Sequence, residues 1–258
     1  TKAIYIIEKT KNKTVSFGFN ESASFRASIL EIVYRHSDIY MASGIIFRFE
    51  YSSTSLPVTI EGALGSGHVY GALVALAIAN EIGLNIVNSA QALKNYDLPA
   101  GRMRLLAGIK ESTIIDDSYN SSPMACETAL KTLEDIKTVG HSGTQKRKII
   151  VLGDMLELGN HTDEEHKNIG KLAGKIADIL VCVGMRAHGF VDGALITEMS
   201  EKNIYHFENS TQAGIFLKET IQKGDIVLVK GSQSVRMENT VVEIMAHPED
   251  APDVHVRQ

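Results

Sequence analysis

From about residue 98 onward the sequence alternates apolar runs with segments of helical period, and this alternation restricts the possible folds more than any other feature. Nearly continuous apolar stretches precede helical ones in "STIIDD", "KIIVLGD", "DILVCVG", "NIYHF" and "DIVLVKG". Strands that are apolar on both faces are typical of parallel sheets covered by helices on both sides. The sequence therefore predicts a doubly wound α/β domain over residues 98–258.

Residues 1–97 have a different character. They carry β-forming runs separated by Asn, Ser and Gly turns: "KAIYIIE", "KTVSFGF", "GIIFRFEY" and "LPVTIEG". The stretch from Gly67 to Leu84 is then apolar with hardly a polar face, which predicts a helix buried inside a domain. A second helical piece follows, and Pro99 and Gly101 interrupt it, so we place a domain boundary near Leu98.

Composition excludes several classes of protein. A formal charge of −5 without a long Lys/Arg cluster argues against a nucleic-acid partner. No apolar window is long enough for a membrane span and no signal sequence opens the chain, so we expect a cytoplasmic protein without a membrane partner. Cys126 and Cys182 lie far apart, and we expect both to be buried thiols. The first residue is Thr1, which suggests a piece of something longer.

Polar residues stand where the predicted strands end. In doubly wound sheets, ligands bind at the carboxyl ends of the strands. Those ends carry Asp116-Asp117, Gly153-Asp154, Gly184 and Lys230-Gly231-Ser232. We therefore expect the functional site at this edge of the sheet.

The segment "IIDDSYNSSP" has two interpretations. Ser121 or Ser122 with Pro123 could simply cap the next helix. Adjacent carboxylates on one strand point to opposite faces, so Asp116 and Asp117 are not a pair sharing a proton. We expect one of them to order the loop and the other to reach a ligand hydroxyl or a metal-bound water.

Other segments are less specific. In "DIVLVKGSQSVRME", Lys230, Arg236 and free backbone N–H groups could form a pocket for a carboxylate or phosphate, although an ordinary polar loop with surface cations explains them as well. His166 in "DEEHKNIG" could be a general base, but a single His on an amphipathic helix is more often a surface or capping residue. The segment "GSGHVYG" lacks the spacing of a dinucleotide fingerprint.

Several catalytic motifs are missing. The sequence contains no G-x-x-x-x-G-K-[ST], H-E-x-x-H or G-x-S-x-G motif and no cysteine pair at metal-binding spacing. A self-sufficient hydrolase, protease or nucleoside triphosphatase is therefore not expected.

Three segments together resemble the carboxyl-terminal half of the Mur ligase family, in particular its D-alanyl-D-alanine-adding members. They are "GRMRLLAGIKESTIIDDSYNSSPMACETALKTL", "KIIVLGDMLELG" with "EEHKNIG", and "DIVLVKGSQSVRME". The resemblance implies that residues 1–97 are the rear part of a mixed α/β central ATPase domain and residues 98–258 a Rossmann-like carboxyl-terminal domain. The phosphate loop and most ligands of Mg²⁺ would lie upstream, so no complete catalytic set is expected in this chain.

The resemblance also implies an activity. ATP, with Mg²⁺, would phosphorylate the carboxylate of a UDP-MurNAc-peptide, and the amine of D-Ala-D-Ala would attack the acyl phosphate. The full-length enzyme would be a monomer. Two other readings stay open: another ATP-dependent amide ligase, such as a folylpolyglutamate or cyanophycin synthetase, and a stand-alone nucleotide-binding module.

Matching positions imply roles for individual residues. Arg102, Asp117, Tyr119 and Asn120 would bind the nucleotide, with Asp117 directed toward the ribose. Lys230, Gly231, Ser232 and Arg236 would receive the dipeptide, and no residue of this chain is expected to bind the metal. The sequence reads "YNSSP" where the family usually has "YNANP", so Ser122 replaces an Asn.

Overall fold

The structure is a computed structural model that describes residues 12–35, 41–138 and 145–253. The chain divides into two compact units. One comprises residues 1–31, 45–61 and 66–96, and the other comprises residues 32–44, 62–65 and 97–258. The units are described separately below.

A four-stranded sheet and two helices form the first part of the chain. The strands are β1 (Phe17–Gly18), β2 (Phe25–Arg35), β3 (Met41–Tyr51) and β4 (Thr54–Glu61), and they lie in the order β1-β2-β3-β4. The helices are α1 (Ser66–Glu81) and α2 (Ile86–Ala92). Aromatic packing holds the sheet, because the ring of Phe25 stacks on Tyr51 at 4.1 Å between centroids and contacts Phe49 at 6.1 Å.

Two sequence predictions for this part need correction and one lies outside the described residues. Strand β2 was not predicted. Helix α1 is not buried all round, because Tyr70 and Ile78 are 44% and 57% exposed and the neighbouring Gly67 and Gly71 are exposed as well. Its opposite face, with Val69, Leu73 and Leu76, is buried as expected. The run "KAIYIIE" lies outside the described residues.

The second unit contains an α/β sheet with its helices. Its strands are β5 (Arg104–Ala107), β6 (Thr113–Asp117), β7 (Lys148–Gly153), β8 (Ile179–Val183), β9 (Ile204–Phe207) and β10 (Ile226–Lys230). They form one sheet in the order β5-β6-β10-β7-β8-β9. The helices are α3 (Pro123–Glu134), α4 (Thr162–Ile176), α5 (His188–Ala194), α6 (Ser210–Thr220) and α7 (Glu238–Ile244). The predicted fold class is confirmed.

Two details of this unit differ from the prediction. Strand β5 was not predicted, and it pairs antiparallel with β6 at the edge of an otherwise parallel sheet. The last helix begins at Glu238 and not near Val235, because Gln233–Val235 form a 3₁₀ turn that ends at Arg236 in the left-handed region, with φ of 57°.

The sheet core explains why the central strands are so apolar. Every residue of β6, β8 and β10 is buried. Val227 and Val229 of β10 belong to a cluster with Ile149, Val181 and Val241. Burial of such side chains, at roughly 25 cal/mol per Å² of apolar surface, is the main force that holds the helices on the sheet.

The register of the sheet places three strand ends side by side. Lys230 of β10 pairs with Asp117 of β6 on one side and with Leu152 of β7 on the other. The loops that follow these parallel strands therefore meet at one edge, where doubly wound sheets bind ligands.

Candidate functional site

Two carboxylates at the end of β6 hold the segment Gly101–Met103. Asp116 Oδ2 accepts a hydrogen bond from the Gly101 N–H at 3.1 Å, and Asp117 Oδ1 accepts one from the Met103 N–H at 3.2 Å. Successive strand residues point to opposite faces, so each carboxylate reaches a different part of the segment. Together they fix the backbone on both sides of Arg102.

Asp116 orders the loop, as expected for one of the two carboxylates. Besides Gly101, its Oδ1 accepts from the backbone N–H of Ser118 at 3.2 Å and from the Ser118 hydroxyl. The side chain is fully buried. Burial raises the pKa of Asp116, and the hydrogen bonds from Ser118 and Gly101 oppose that rise. Both oxygens are occupied within the protein.

Asp117 forms a buried ion pair with Lys230. The distance from Lys230 Nζ to Asp117 Oδ2 is 2.6 Å, and the same ammonium group donates to the carbonyl oxygen of Asn120 at 2.9 Å. Lys230 is 2% exposed and Asp117 is 7% exposed. Burial raises the pKa of Asp117, while the charge of Lys230 and its hydrogen bond favour the ionised carboxylate.

Arg102 and Tyr119 form a stacked pair at this edge. The guanidinium carbon of Arg102 lies 4.0 Å from the centroid of the Tyr119 ring. Arg102 is exposed and Tyr119 is half-buried. The Gly101 backbone has φ of 65°, and a Cβ at that position would lie 2.7 Å from the Tyr119 nitrogen, so the segment passes too close to Tyr119 for any side chain there. A cation stacked on an aromatic ring offers a flat surface for a planar ligand.

The segment after Tyr119 leads into helix α3. The Asn120 side chain accepts from the Ser121 N–H at 2.8 Å, and Asn120 itself is exposed. Ser122 Oγ accepts from the Ala125 N–H at 3.4 Å and so caps the helix, which Pro123 opens. The capping interpretation is confirmed for Ser122, and it coexists with the cluster around Asp117.

The loop after β7 is held by two side chains from other elements. The Met155 N–H donates to His166 Nε2 at 3.0 Å, and the Leu156 N–H donates to Ser232 Oγ at 2.9 Å. The Ser232 N–H in turn donates to the Asp154 carbonyl oxygen at 3.0 Å. Ser232 therefore joins the ends of β7 and β10.

His166 is fully buried, so the expectation of a surface or capping residue was wrong. Its Nε2 faces an N–H donor, so the ring proton is on Nδ1, which donates to the Thr162 carbonyl oxygen at 2.7 Å. Burial lowers the pKa of His166. The spacing of His166, Ile169, Gly170 and Ala173 along one helix face could have revealed the burial from sequence.

The carboxylate of Asp154 packs on Gly184. Gly184 has φ of 108°, and a Cβ there would lie 2.6 Å from Asp154 Cγ, so only glycine leaves room for this carboxylate. Asp154 is 6% exposed, and its Oδ1 has no hydrogen-bond partner among the described residues.

The residues expected to receive the dipeptide are not gathered around a single pocket. Lys230 points toward the loop after β6, as described above. Ser232 is 4% exposed and its hydroxyl accepts from Leu156. A Cβ on Gly231 would lie 3.0 Å from Gly153 Cα, so Gly231 serves the close approach of two strand ends. Arg236 is exposed and donates to Glu238.

A cavity of about 920 Å³ lies away from this edge. It is lined by residues at the other end of β7 and β8, among them Arg147, Lys175, Asp178 and Thr197. The Arg147 guanidinium is already bound to Asp225 at 2.6 Å and to the Thr220 carbonyl oxygen at 3.0 Å. None of the predicted site residues lines this cavity.

Two further findings apply to the part of the chain that the structure describes. Within it, no group of three or more His, Cys, Asp or Glu side chains is placed to hold a metal ion. Within the same ranges, no helix has both the length and the apolar character needed to cross a bilayer.

The fold and the site define an α/β domain with a polar cluster at the carboxyl edge of a parallel sheet. Over residues 101–233 the chain matches the family described as "Mur ligase, glutamate ligase domain". Because the match covers more than half of the sequence, the chain belongs to the Mur ligase family.

Individual relatives agree with this assignment. The chain is 26% identical over 185 residues to UDP-N-acetylmuramoyl-tripeptide–D-alanyl-D-alanine ligase of Bacillus subtilis, which covers 72% of this chain and 39% of that protein. It is also similar to MurF of Acinetobacter baumannii, with a TM-score of 0.71, 23% identity and coverage of 89% of this chain and 46% of that one. MurF of Thermotoga maritima in complex with ADP gives a TM-score of 0.65 at 22% identity, over 87% and 46% of the two chains. The chain thus spans less than half the length of these relatives.

Proposed function

We propose that this chain is part of an ATP-dependent amide ligase that adds D-Ala-D-Ala to a UDP-MurNAc-tripeptide in the synthesis of peptidoglycan precursors. Family membership supports the reaction class, and the names of the relatives support the substrates. The observation that carries the proposal is the cluster at the end of β6. In it, Asp116 and Asp117 fix the Gly101–Met103 segment, and Arg102 of this segment stacks on Tyr119. A reaction that consumes ATP and a nucleotide-linked precursor belongs in the cytoplasm.

In the proposed reaction, the substrate carboxylate takes the terminal phosphoryl group of ATP and ADP leaves. The amine of the dipeptide then attacks the acyl carbon, a tetrahedral intermediate forms, and its collapse gives the amide, inorganic phosphate and one proton. Positioning and neutralisation of phosphoryl charge dominate such chemistry. In this proposal the chain contributes orientation of the nucleotide through the cluster at the carboxyl edge of the sheet.

Each residue of the cluster has a role in this proposal. The Arg102–Tyr119 stack offers a flat, positively charged surface to the nucleotide. Asp117 holds the Met103 N–H next to Arg102, so its role toward the nucleotide is to position the segment that carries the stack. Asn120 is exposed beside them and can donate or accept through its amide.

Titration calorimetry with ADP and with ATP plus Mg²⁺ tests this assignment. We expect measurable binding by the chain that weakens about tenfold or more in Arg102→Ala and Asp117→Ala, as for loss of a hydrogen bond to a charged group. Arg48→Ala is the matched control, because Arg48 is an exposed arginine on β3 in the other unit. If neither the parent chain nor the variants bound a nucleotide, this result would contradict a nucleotide role for the cluster.

A further inference from the structure

The side chain of Lys230 is directed at the nucleotide side of the site and away from the loop that follows its own strand. Both of its hydrogen-bond acceptors, Asp117 Oδ2 and the Asn120 carbonyl oxygen, belong to the segment 117–120. No acceptor for its ammonium group comes from residues 231–236 among its described bonds. The contact that the sequence suggested between Lys230 and a substrate carboxylate is therefore replaced by an internal one.

Burial keeps a substrate carboxylate away from the Lys230–Asp117 ion pair. The side chain of Lys230 is 3% exposed and that of Asp117 is 11% exposed. An ammonium group has three hydrogens, and two of them are used within the protein. Because the Lys230 side chain is buried, a substrate carboxylate has no open path to the third hydrogen. A carboxylate that displaced Asp117 instead would leave a buried aspartate without its counter-charge, which is strongly unfavourable.

The register of the sheet explains how the pair forms. Lys230 and Asp117 are directly paired in the parallel ladder of β10 and β6, so their side chains lie on the same face of the sheet. Asp117 then uses its other oxygen, Oδ1, to hold the Met103 N–H, next to Arg102. A chain of contacts thus runs from Lys230 through Asp117 to the segment that carries Arg102.

We propose that Lys230 is a positioning residue that fixes Asp117 and the segment 117–120 for the nucleotide, and that it is not a ligand of the dipeptide carboxylate. This inference rests on the proposed function for the identity of the ligand. Its structural part, that Lys230 holds Asp117 against Met103, stands on the contacts alone.

The first test measures amide hydrogen exchange by NMR in the parent chain and in Lys230→Met, which keeps a long unbranched side chain but removes the charge. We expect exchange of the Met103 amide to accelerate by about tenfold or more, as for a lost charge-assisted hydrogen bond. The Gly101 amide is the internal control, because it is held by Asp116 and should keep its rate. Lys131→Met, on exposed Lys131 of α3, is the matched control variant. An unchanged Met103 rate in Lys230→Met would overturn the inference.

The second test is a double-mutant cycle on ligand affinity. Lys230→Met and Asp117→Ala should each lower the affinity for ADP. Because Lys230 acts through Asp117, the affinity of the double variant should be no lower than that of the single variant with the lower affinity. The double variant also removes the unpaired buried charge, so it can fold if Lys230→Met does not. The affinity for D-alanyl-D-alanine should be the same in Lys230→Met as in the parent chain.

The outcomes separate this inference from the proposed function. Loss of dipeptide binding with retained ADP affinity in Lys230→Met would overturn the inference and leave the proposed function standing. Absence of nucleotide binding by the parent chain would contradict the nucleotide role of the cluster. In that case the comparison of the Met103 and Gly101 amides alone decides whether Lys230 positions Asp117.

Discussion

At the scale of single residues, two adjacent aspartates with almost the same burial perform different tasks. Asp116 is saturated by backbone and hydroxyl donors and acts as an internal connector of the loop. Asp117 shares its two oxygens between Met103 and Lys230, so its orientation depends on a residue far along the chain. The alternation of side chains along a strand is what allows neighbouring carboxylates to be used separately.

The environment of His166 predicts a pH dependence of stability. Its pKa is lowered from 6.5 by burial, so the folded protein binds fewer protons than the unfolded chain below that pH. The stabilising contribution is fully present above pH 6.5 and is lost as the pH falls through the folded pKa. We expect a loss of up to about 1.4 kcal/mol per pH unit in this window.

Urea unfolding between pH 7.5 and 5.5, compared with the variant His166→Gln, measures this contribution. The remaining histidines are the same in both proteins, so the difference between their slopes isolates His166. The variant should be less stable at pH 7.5, because it loses the contact with the Phe190 ring at 4.6 Å, but its stability should fall less on acidification. Equal slopes would show that His166 keeps an ordinary pKa.

Much of the site could be predicted at this scale, and the gaps have a physical cause. Strand-end residues such as Asp117 and Asp154 stand out because apolar runs end on them. The partner of Lys230 could not be predicted, because the Asp117–Lys230 pair joins residues 113 positions apart and depends on the register of β6 against β10. A sequence motif shows which residues are present, but it does not show which residues are their hydrogen-bond partners.

At the scale of elements, helices α4 and α5 pack closely against each other at positions occupied by glycines. A Cβ on Gly170 would lie 2.7 Å from the Phe190 Cα and would also strike the Phe190 carbonyl oxygen. A Cβ on Gly193 would lie 2.8 Å from the backbone nitrogen of Lys171. Since the obstacles are backbone atoms, the two helices would have to separate to accept even a methyl group.

The substitution Gly170→Ala should therefore destabilise the protein by about 1–3 kcal/mol through overpacking, despite the better helix propensity of alanine. Gly71→Ala on α1 is the matched control, since nothing lies within 4 Å of a Cβ there. It should stabilise its helix by about 0.5–1 kcal/mol. Chemical denaturation of both variants gives the comparison, and a stabilised Gly170→Ala would contradict the close helix packing.

The elements that were missed from sequence have local irregularities. Strand β2 contains Ile29 at φ of 52°, a left-handed residue inside the strand, and the in–out alternation of burial is lost from that point. Strand β5 is only four residues long and belongs to a hairpin-like antiparallel edge, so it has no long apolar run. The long apolar strands β6, β7, β8 and β10 were predictable because both of their faces are covered.

At the scale of the whole molecule, the order of strands in the α/β unit differs from their order in the sequence. Among the described residues, β10 is the last strand of the chain, yet it lies between β6 and β7. It therefore joins a pair of strands, β5 and β6, to a group of three, β7, β8 and β9. In the sheet, the two groups are connected to each other through β10.

A chain that ends at Gly224 should consequently lose the cooperative unfolding transition of this unit, because the backbone groups of β6 and β7 that face β10 have no partner. Adding a separate peptide of residues 225–253 should restore the near-UV circular dichroism signal by supplying β10 and α7. A shortened chain that keeps the full transition without the peptide would show that the two strand groups are stable alone.

The central place of β10 also affects synthesis on the ribosome. Translation delivers both flanking groups of strands before it delivers the strand that joins them, so a nascent chain carries two open strand edges until Lys230 has left the exit tunnel. Open edges are sites where chains pair wrongly with one another. The sheet of this domain therefore cannot be completed before β10 has been translated, and we expect slow translation or pauses before residue 226 to increase its demand for chaperones.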